Sequence, residues 1–304
     1  MLVCGSDKEN IPSETRKKWI ERTFAFIKKI EIKCFDYSEN DLPNTSVSSL
    51  EVSKVWAERF KTFFPEHDLV ITSEEYGNYV AAYMGIQHMV FDIPKLRYPV
   101  SATAIRSDLF TNWQFLPNSV KSYFAIKVVL LGTESTGKTT LTKRLSEHFK
   151  CSSVHEAGRD LINDSRQFEF DDLKRVALEH AQNIDAVFLG DSPLIIIDTD
   201  IHITQSYAKF LFEKELPISN SVYKTNKADL YLYLTNDVDY VQDGTRLNKK
   251  DRNLLDLSHR ATLKANNIGF YEISGHWEER FKKAIALINA LRTKKDSYSS
   301  TYFL

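Results

Sequence analysis

Residues 132 to 140 read "GTESTGKTT", and Gly132, Gly137, Lys138 and Thr139 fit the pattern GxxxxGK[ST]. A loop of this kind wraps a polyphosphate closely: glycine at the two bends leaves room for the backbone N–H groups to point inward at the anion. An apolar strand, "IKVVLL", precedes the loop and a helical stretch, "TTLTKRLSEHF", follows it, which is the context the motif requires. At the start of that helix, free N–H groups and the positive end of the dipole favour the same phosphate. Lys138 supplies a charge near the β and γ phosphates, and Thr139 offers its hydroxyl to magnesium. The whole run, Gly132, Thr133, Glu134, Ser135, Thr136, Gly137, Lys138, Thr139 and Thr140, is therefore expected to bind ATP.

Magnesium needs an acid at the end of a neighbouring apolar strand. The stretch "SPLIIIDTD" places Asp198 directly after such a run, so Thr139 and Asp198 are the expected metal residues. Asp200 is a second candidate and is also expected on the substrate side, although an acid there equally reads as a helix N-cap. In "HEAGRD", Glu156, Arg159 and Asp160 follow another short strand. In a doubly wound sheet they would face the ligand crevice, where a carboxylate accepts the proton of an attacking hydroxyl and an arginine holds phosphate. The alternative is an Asp–Arg surface ion pair with a helix cap. Arg246 and Arg252 lie in the polar, glycine-containing segment "YVQDGTRLNKKDR", of the kind that closes over ATP and excludes water. His155, His180, His202, Tyr207 and Phe210 are candidates to line the acceptor pocket, or plain core and surface residues.

The elements that would position these groups form two series. Over residues 1–122 short apolar strands ("MLVCG", "IEIKCF", "DLVITSE", "HMVFD") alternate with amphipathic helices, one capped at Pro12-Ser13 and carrying Trp19, Ile20, Thr23, Phe24 and Ile27 on one face, another closed by Gly85. That alternation predicts a parallel sheet covered on both faces, a Rossmann-like half. Residues 123–294 repeat the pattern with five strands and a closing helix near 276–292, and residues 295–304 read as a loosely ordered tail. "LPNSVKSYF" connects the halves.

Composition narrows the function. Among 304 residues, 41 are acidic and 40 basic, a balance that does not favour a nucleic-acid or membrane-surface partner. Cys4, Cys34 and Cys151 are scattered without a zinc-binding spacing, which points to a reducing, cytoplasmic compartment. No apolar run approaches the ~20 residues of a membrane span. The sequence leaves a homo-oligomer open.

The order of segments resembles the NadR-type proteins, in which a nicotinamide-nucleotide adenylyltransferase domain is fused to a ribosylnicotinamide kinase domain. The matching pieces are "VCGSDKENIPSETRKKW", "ITSEEYG", "VSATAIRSD", "LPNSVKSYF", "LLGTESTGKTTL", "HEAGRD", "ALEHAQ", "IDTDIHITQ" and "QDGTRL". For the second half the resemblance implies transfer of the ATP γ-phosphoryl group to the 5′-hydroxyl of nicotinamide riboside, giving nicotinamide mononucleotide. Lys138, Thr139 and Asp198 would hold MgATP, Glu156 or Asp160 would serve the ribose hydroxyls, and Arg246 and Arg252 would close on phosphate.

The first half departs from the family pattern. No HxGH occurs in the sequence, and the chain opens at what resembles the family's second strand; the later phosphate motif is present as "SATAIR", with Ser101, Thr103 and Arg106 at matching positions and an alanine where glycine is usual. Either the start given lies too far downstream, or this half is a remnant that binds without transferring adenylyl groups. Unpaired backbone edges beside an absent central strand favour the former. The resemblance thus implies kinase competence with little or no adenylyl transfer to nicotinamide mononucleotide. Two rivals are a kinase for another nucleoside and a nucleotide-binding regulatory module.

Overall fold

The computed structural model describes residues 1–45, 47–158, 169–237 and 248–298. The chain divides into two compact units, one running Met1–Phe115 and the other Leu116–Ser297. The boundary falls before the connector helix α5 (Asn118–Phe124) instead of at 122/123, because α5 is fastened into the second unit. Lys121 Nζ donates to the carbonyls of Leu189 and Gly190, at 3.1 and 2.8 Å, and the Leu189 N–H donates to Asn118 Oδ1 at 2.9 Å.

In the first unit β1 (Leu2–Ser6) pairs with β2 (Lys33–Tyr37), and β3 (Leu69–Thr72) with β4 (Gln87–Val90), both parallel. Helices α1 (Ser13–Thr23), α2 (Leu50–Phe63) and α3 (Tyr76–Met84) alternate with them. Gly85 closes α3 at φ +73°, its N–H on the Ala81 carbonyl, as a left-handed C-terminal glycine does. An aromatic cluster of Phe35, Tyr37 and Trp56 seats α2 on β2.

The covered sheet expected from the alternation is split into two ribbons among the described residues. Leu69, Ile71 and Met89, which share one face of β3–β4, stay exposed. Helix α1 stops at Thr23, so the face expected to run on to Ile27 is cut short, and Phe24, Phe26 and Ile27 are exposed.

The second unit is one parallel sheet of five strands in the order β6-β7-β5-β8-β9. The strands are β5 (Ile126–Leu131), β6 (Ser152–Val154), β7 (Leu194–Asp198), β8 (Leu230–Leu234) and β9 (Tyr271–Ile273). The central three are almost wholly apolar, with Lys127 in β5 and Asp198 at the end of β7 the exceptions, and almost fully buried, as strands covered on both faces must be. The helices are α6 (Lys138–Phe149), α7 (Phe170–Ala186), α8 (Ile201–Phe212), α9 (Asn220–Asn226), α10 (Lys249–Ala265) and α11 (Trp277–Tyr298). Sequence reading missed α9 and α10. It also assigned 295–298 to a loose tail, whereas α11 continues through them and Lys295 pairs with Asp229 at 2.8 Å. The chain order reverses around β5, and the crevice outside the carboxyl ends of β5, β7 and β8 is where such a sheet takes a ligand.

Candidate active site

The loop from Gly132 to Gly137 leaves β5 at that switch point and runs into α6. Gly132 has φ +135°, and a Cβ there would stand 2.5 Å from the Leu234 carbonyl oxygen of β8, so the close strand-to-loop approach admits only glycine. Gly137 has φ +88°, and its Cβ would meet the Trp277 ring at 2.3 Å. Thr136 Oγ1 donates to the Thr133 carbonyl at 2.8 Å and tightens the turn. Lys138 is buried; its ammonium donates to the carbonyls of Gly132 (2.8 Å) and Thr133 (3.0 Å), at the loop itself.

Asp198 ends β7 and is fully buried. Thr139 Oγ1 donates to its Oδ2 at 2.5 Å, while Oδ1 is buried without a hydrogen-bond partner. An orphaned carboxylate oxygen beside a threonine hydroxyl is a hard oxygen donor set, and it fits magnesium.

Asp200 turns inward. Its Oδ1 accepts from the N–H groups of His202 (3.0 Å) and Ile203 (3.3 Å), its Oδ2 pairs with His202 Nδ1 at 2.6 Å, and it is fully buried. Both oxygens are engaged in the first turn of α8, so the geometry is that of a helix cap, not of a substrate ligand. Glu156 follows β6 at the same end of the sheet. Arg252 sits on α10 and is buried, not in an open polar lid as its neighbours in sequence suggest. Arg159, Asp160 and Arg246 lie outside the described residues. In the first unit, Ser101 caps the six-residue helix α4 (Ala102–Ser107) by accepting from the Ala104 N–H at 3.0 Å, and Thr103 and Arg106 are exposed on it.

Three residues that the sequence did not single out complete the surroundings. Arg280, fully buried at the start of α11, donates to the carbonyls of Thr136 (3.1 Å), Thr235 (3.1 Å) and Gly275 (2.8 Å) and pairs with Asp237. It ties the phosphate loop to the segments after β8 and β9. Trp277 lies against Gly137 with Arg280 at 5.6 Å from its ring centre. His259 of α10 is fully buried, its Nδ1 bonded to Ser206 Oγ at 2.8 Å and its Nε2 without a partner. Burial, aided by the Lys138 charge, pushes its pKa down to about 3, so it is neutral. Burial also lowers His180, whose Nε2 lies 3.2 Å from the Thr199 carbonyl.

Residues 127–280, about half of the chain, match the model of a family described as the AAA domain. The chain belongs to that family. The AAA domain covers the five-stranded sheet and the loop after β5, and it ends at Arg280. Beyond it, the chain is 29% identical over 289 residues to the trifunctional NAD biosynthesis/regulator protein NadR of Salmonella typhimurium, covering 91% of this chain and 69% of that protein. NadR of Escherichia coli is 29% identical over 303 residues, covering 94% and 71%. A crystal structure of NadR in complex with NR aligns over 95% of this chain and 87% of its own, with a TM-score of 0.69 and 21% identity. A second, of NadR with NAD and AMP-PNP, gives 0.66 and 21%. The resemblance to NadR-type proteins therefore extends through both units. Among the described residues, no helix is long and apolar enough to cross a membrane.

Proposed function

We propose that the second unit transfers the γ-phosphoryl group of ATP to the 5′-hydroxyl of nicotinamide riboside, giving nicotinamide mononucleotide. The observation that carries a phosphoryl-transfer reading is the pairing of Thr139 with the buried, half-unsatisfied Asp198 at the end of a loop that also holds the buried Lys138 ammonium. The riboside is taken from the relatives: a NadR structure holds NR, and the curated relatives are NAD-biosynthesis proteins.

The loop amides and Lys138 bind the triphosphate and fix the γ-phosphorus, while Thr139 and Asp198 would hold magnesium. Magnesium, when bound, neutralises charge on the β and γ phosphate oxygens. The acceptor oxygen bonds to the γ-phosphorus as the bridge to the β-phosphate breaks, ADP leaves, and the hydroxyl proton passes to a carboxylate, Glu156 or Asp160. Arg246 and Arg252 are assigned to phosphate and to exclusion of water.

Riboside-dependent ADP release tests the reading. Nicotinamide riboside with magnesium and ATP should release ADP and form the mononucleotide, and the same protein should give little or no NAD from mononucleotide and ATP. ADP release only with another nucleoside, or none with any acceptor, would reject the assignment in favour of a different kinase or a regulatory module.

A further inference from the structure

We infer that His180 is a positioning residue: by holding the Thr199 carbonyl it locks a left-handed turn between β7 and α8, and that turn sets the aim of Asp198 at magnesium. The inference rests on the reading that Thr139 and Asp198 hold the metal, and it adds the residue that fixes their geometry through the backbone.

Thr199 stands between two aspartates with different tasks. Asp198 ends β7 and accepts from the Thr139 hydroxyl, and Asp200 caps α8. The turn that separates them has φ +71° at Thr199. Thr199 is buried, and among the described non-glycine residues with positive φ it alone is β-branched. Crowding of Cβ against the neighbouring carbonyl makes this region costly for any side chain, and most of all for a branched one. Glycine would take the same φ freely. A residue held in such a conformation stays there only when its surroundings over-determine it.

Two bonds do so. The Thr199 N–H donates to the Leu130 carbonyl of β5 at 3.0 Å, which fixes the peptide plane before Thr199. His180 Nε2 lies 3.2 Å from the Thr199 carbonyl, which fixes the plane after it. A carbonyl only accepts, so Nε2 carries the ring proton and donates it. The donor is itself well seated: Ala177 and Ala181, on either side of His180 in α7, pack with Ile201 of α8 and Val222 of α9 in one buried cluster. With both planes held, neither φ nor ψ of Thr199 is free to relax.

A core role alone does not account for His180. The residue is 4% exposed, and its Nδ1 has no hydrogen-bond partner among the described residues. An apolar ring of similar size would fill this place without leaving a buried nitrogen unsatisfied. What the imidazole adds is the bond to Thr199. Asp198 Oδ1, on the residue next to the turn, is also buried and unpaired among the described residues. The backbone that His180 fixes is therefore the backbone that presents the free metal-binding oxygen. Without the bond the Thr199 carbonyl can swing, φ relaxes toward negative values, and the Asp198 carboxylate loses its set against Thr139.

ADP affinity, measured by calorimetry with magnesium and again with EDTA, isolates the effect. The wild type should bind ADP more tightly with magnesium. His180→Phe should cut that magnesium-dependent gain by about tenfold, as removing the support of a metal ligand does, and change the affinity in EDTA by no more than about twofold, which also shows that the variant is folded. His180→Gln, whose side-chain amide can donate to the same carbonyl, should recover most of the gain. Thr199→Gly alone should keep most of it, since glycine needs no support at this φ. In the Thr199→Gly background, His180→Phe should cost no more than about threefold, a coupling that lost packing would not produce. An undiminished gain in His180→Phe, a His180→Gln variant no better than His180→Phe, or the same tenfold loss in both backgrounds would overturn the inference and leave the magnesium assignment standing. Failure of His180→Phe to fold, unrepaired by Thr199→Gly, would make His180 a core residue and overturn it equally. No magnesium-dependent gain in the wild type would overturn the magnesium assignment itself and the inference with it.

Discussion

Replacing Arg280 with methionine should both loosen the second unit and weaken its grip on nucleotide. The guanidinium satisfies three backbone carbonyls, those of Thr136, Thr235 and Gly275, and pairs with Asp237. Methionine fills much of the volume but donates nothing. A buried carbonyl left unsatisfied costs about 1–3 kcal/mol, and three of them set an upper range well above what is expected. Some relaxation toward water is open to Thr235 and Gly275, and the Asp237 side chain, 43% exposed, keeps solvent access after its partner is lost. The expected loss is therefore about 3–4 kcal/mol, in line with removing one member of a buried charged network. Because the Thr136 carbonyl belongs to the phosphate loop, KM for ATP should rise about tenfold while KM for the acceptor changes little. Arg280→Lys should recover part of the stability, since an ammonium keeps the charge but cannot span three separated carbonyls. Denaturant unfolding and a two-substrate kinetic matrix read the two effects. A stability change below about 0.5 kcal/mol would refute the bonding account, and a large stability loss with an unchanged KM for ATP would refute the claim that Arg280 positions the loop.

Lys138→Ala should leave the circular dichroism spectrum unchanged and lower ATP-dependent turnover by about 100-fold or more; turnover near the wild-type rate would remove the loop from the mechanism. Stability should fall with acid between pH 6.5 and 3. His259 has its folded pKa near 3 against an ordinary value of 6.5, so below 6.5 the unfolded chain takes up the proton first, and the stabilisation present above 6.5 is lost as the pH drops toward 3. At pH 5 the loss from this group is about 2 kcal/mol, with His180 acting in the same direction. Denaturant midpoints of the wild type and of His259→Gln across this range check it, and equal slopes would show that His259 is not the group responsible.

What the sequence made legible follows from how far apart the cooperating residues lie. The phosphate loop, its flanking strand and helix and the acid at Asp198 are each announced by a local pattern, and the three central strands of the second unit, β5, β7 and β8, stand out as nearly continuous apolar runs. Arg280 acts on Thr136 across 144 residues, and nothing in "WEER" marks it beyond its place at a helix start, so its role emerges only when β8, β9 and the loop are brought together. Helix α10 was within reach: Arg252, Leu255, Asp256, His259 and Leu263 are its buried positions, at helical spacing, but arginine, aspartate and histidine stand where that pattern leads one to seek apolar residues. The same substitution of polar for apolar is what makes the face informative. A helix that buries an arginine, an aspartate and a histidine does so at the cost of desolvating all three, and here His259 is bonded to Ser206 of α8 and Asp256 to the Tyr233 hydroxyl of β8. That cost is tolerable where the polar groups have partners to meet, and the two helices that share it, α8 and α10, place Tyr207 and His259 beside the loop that carries Glu134.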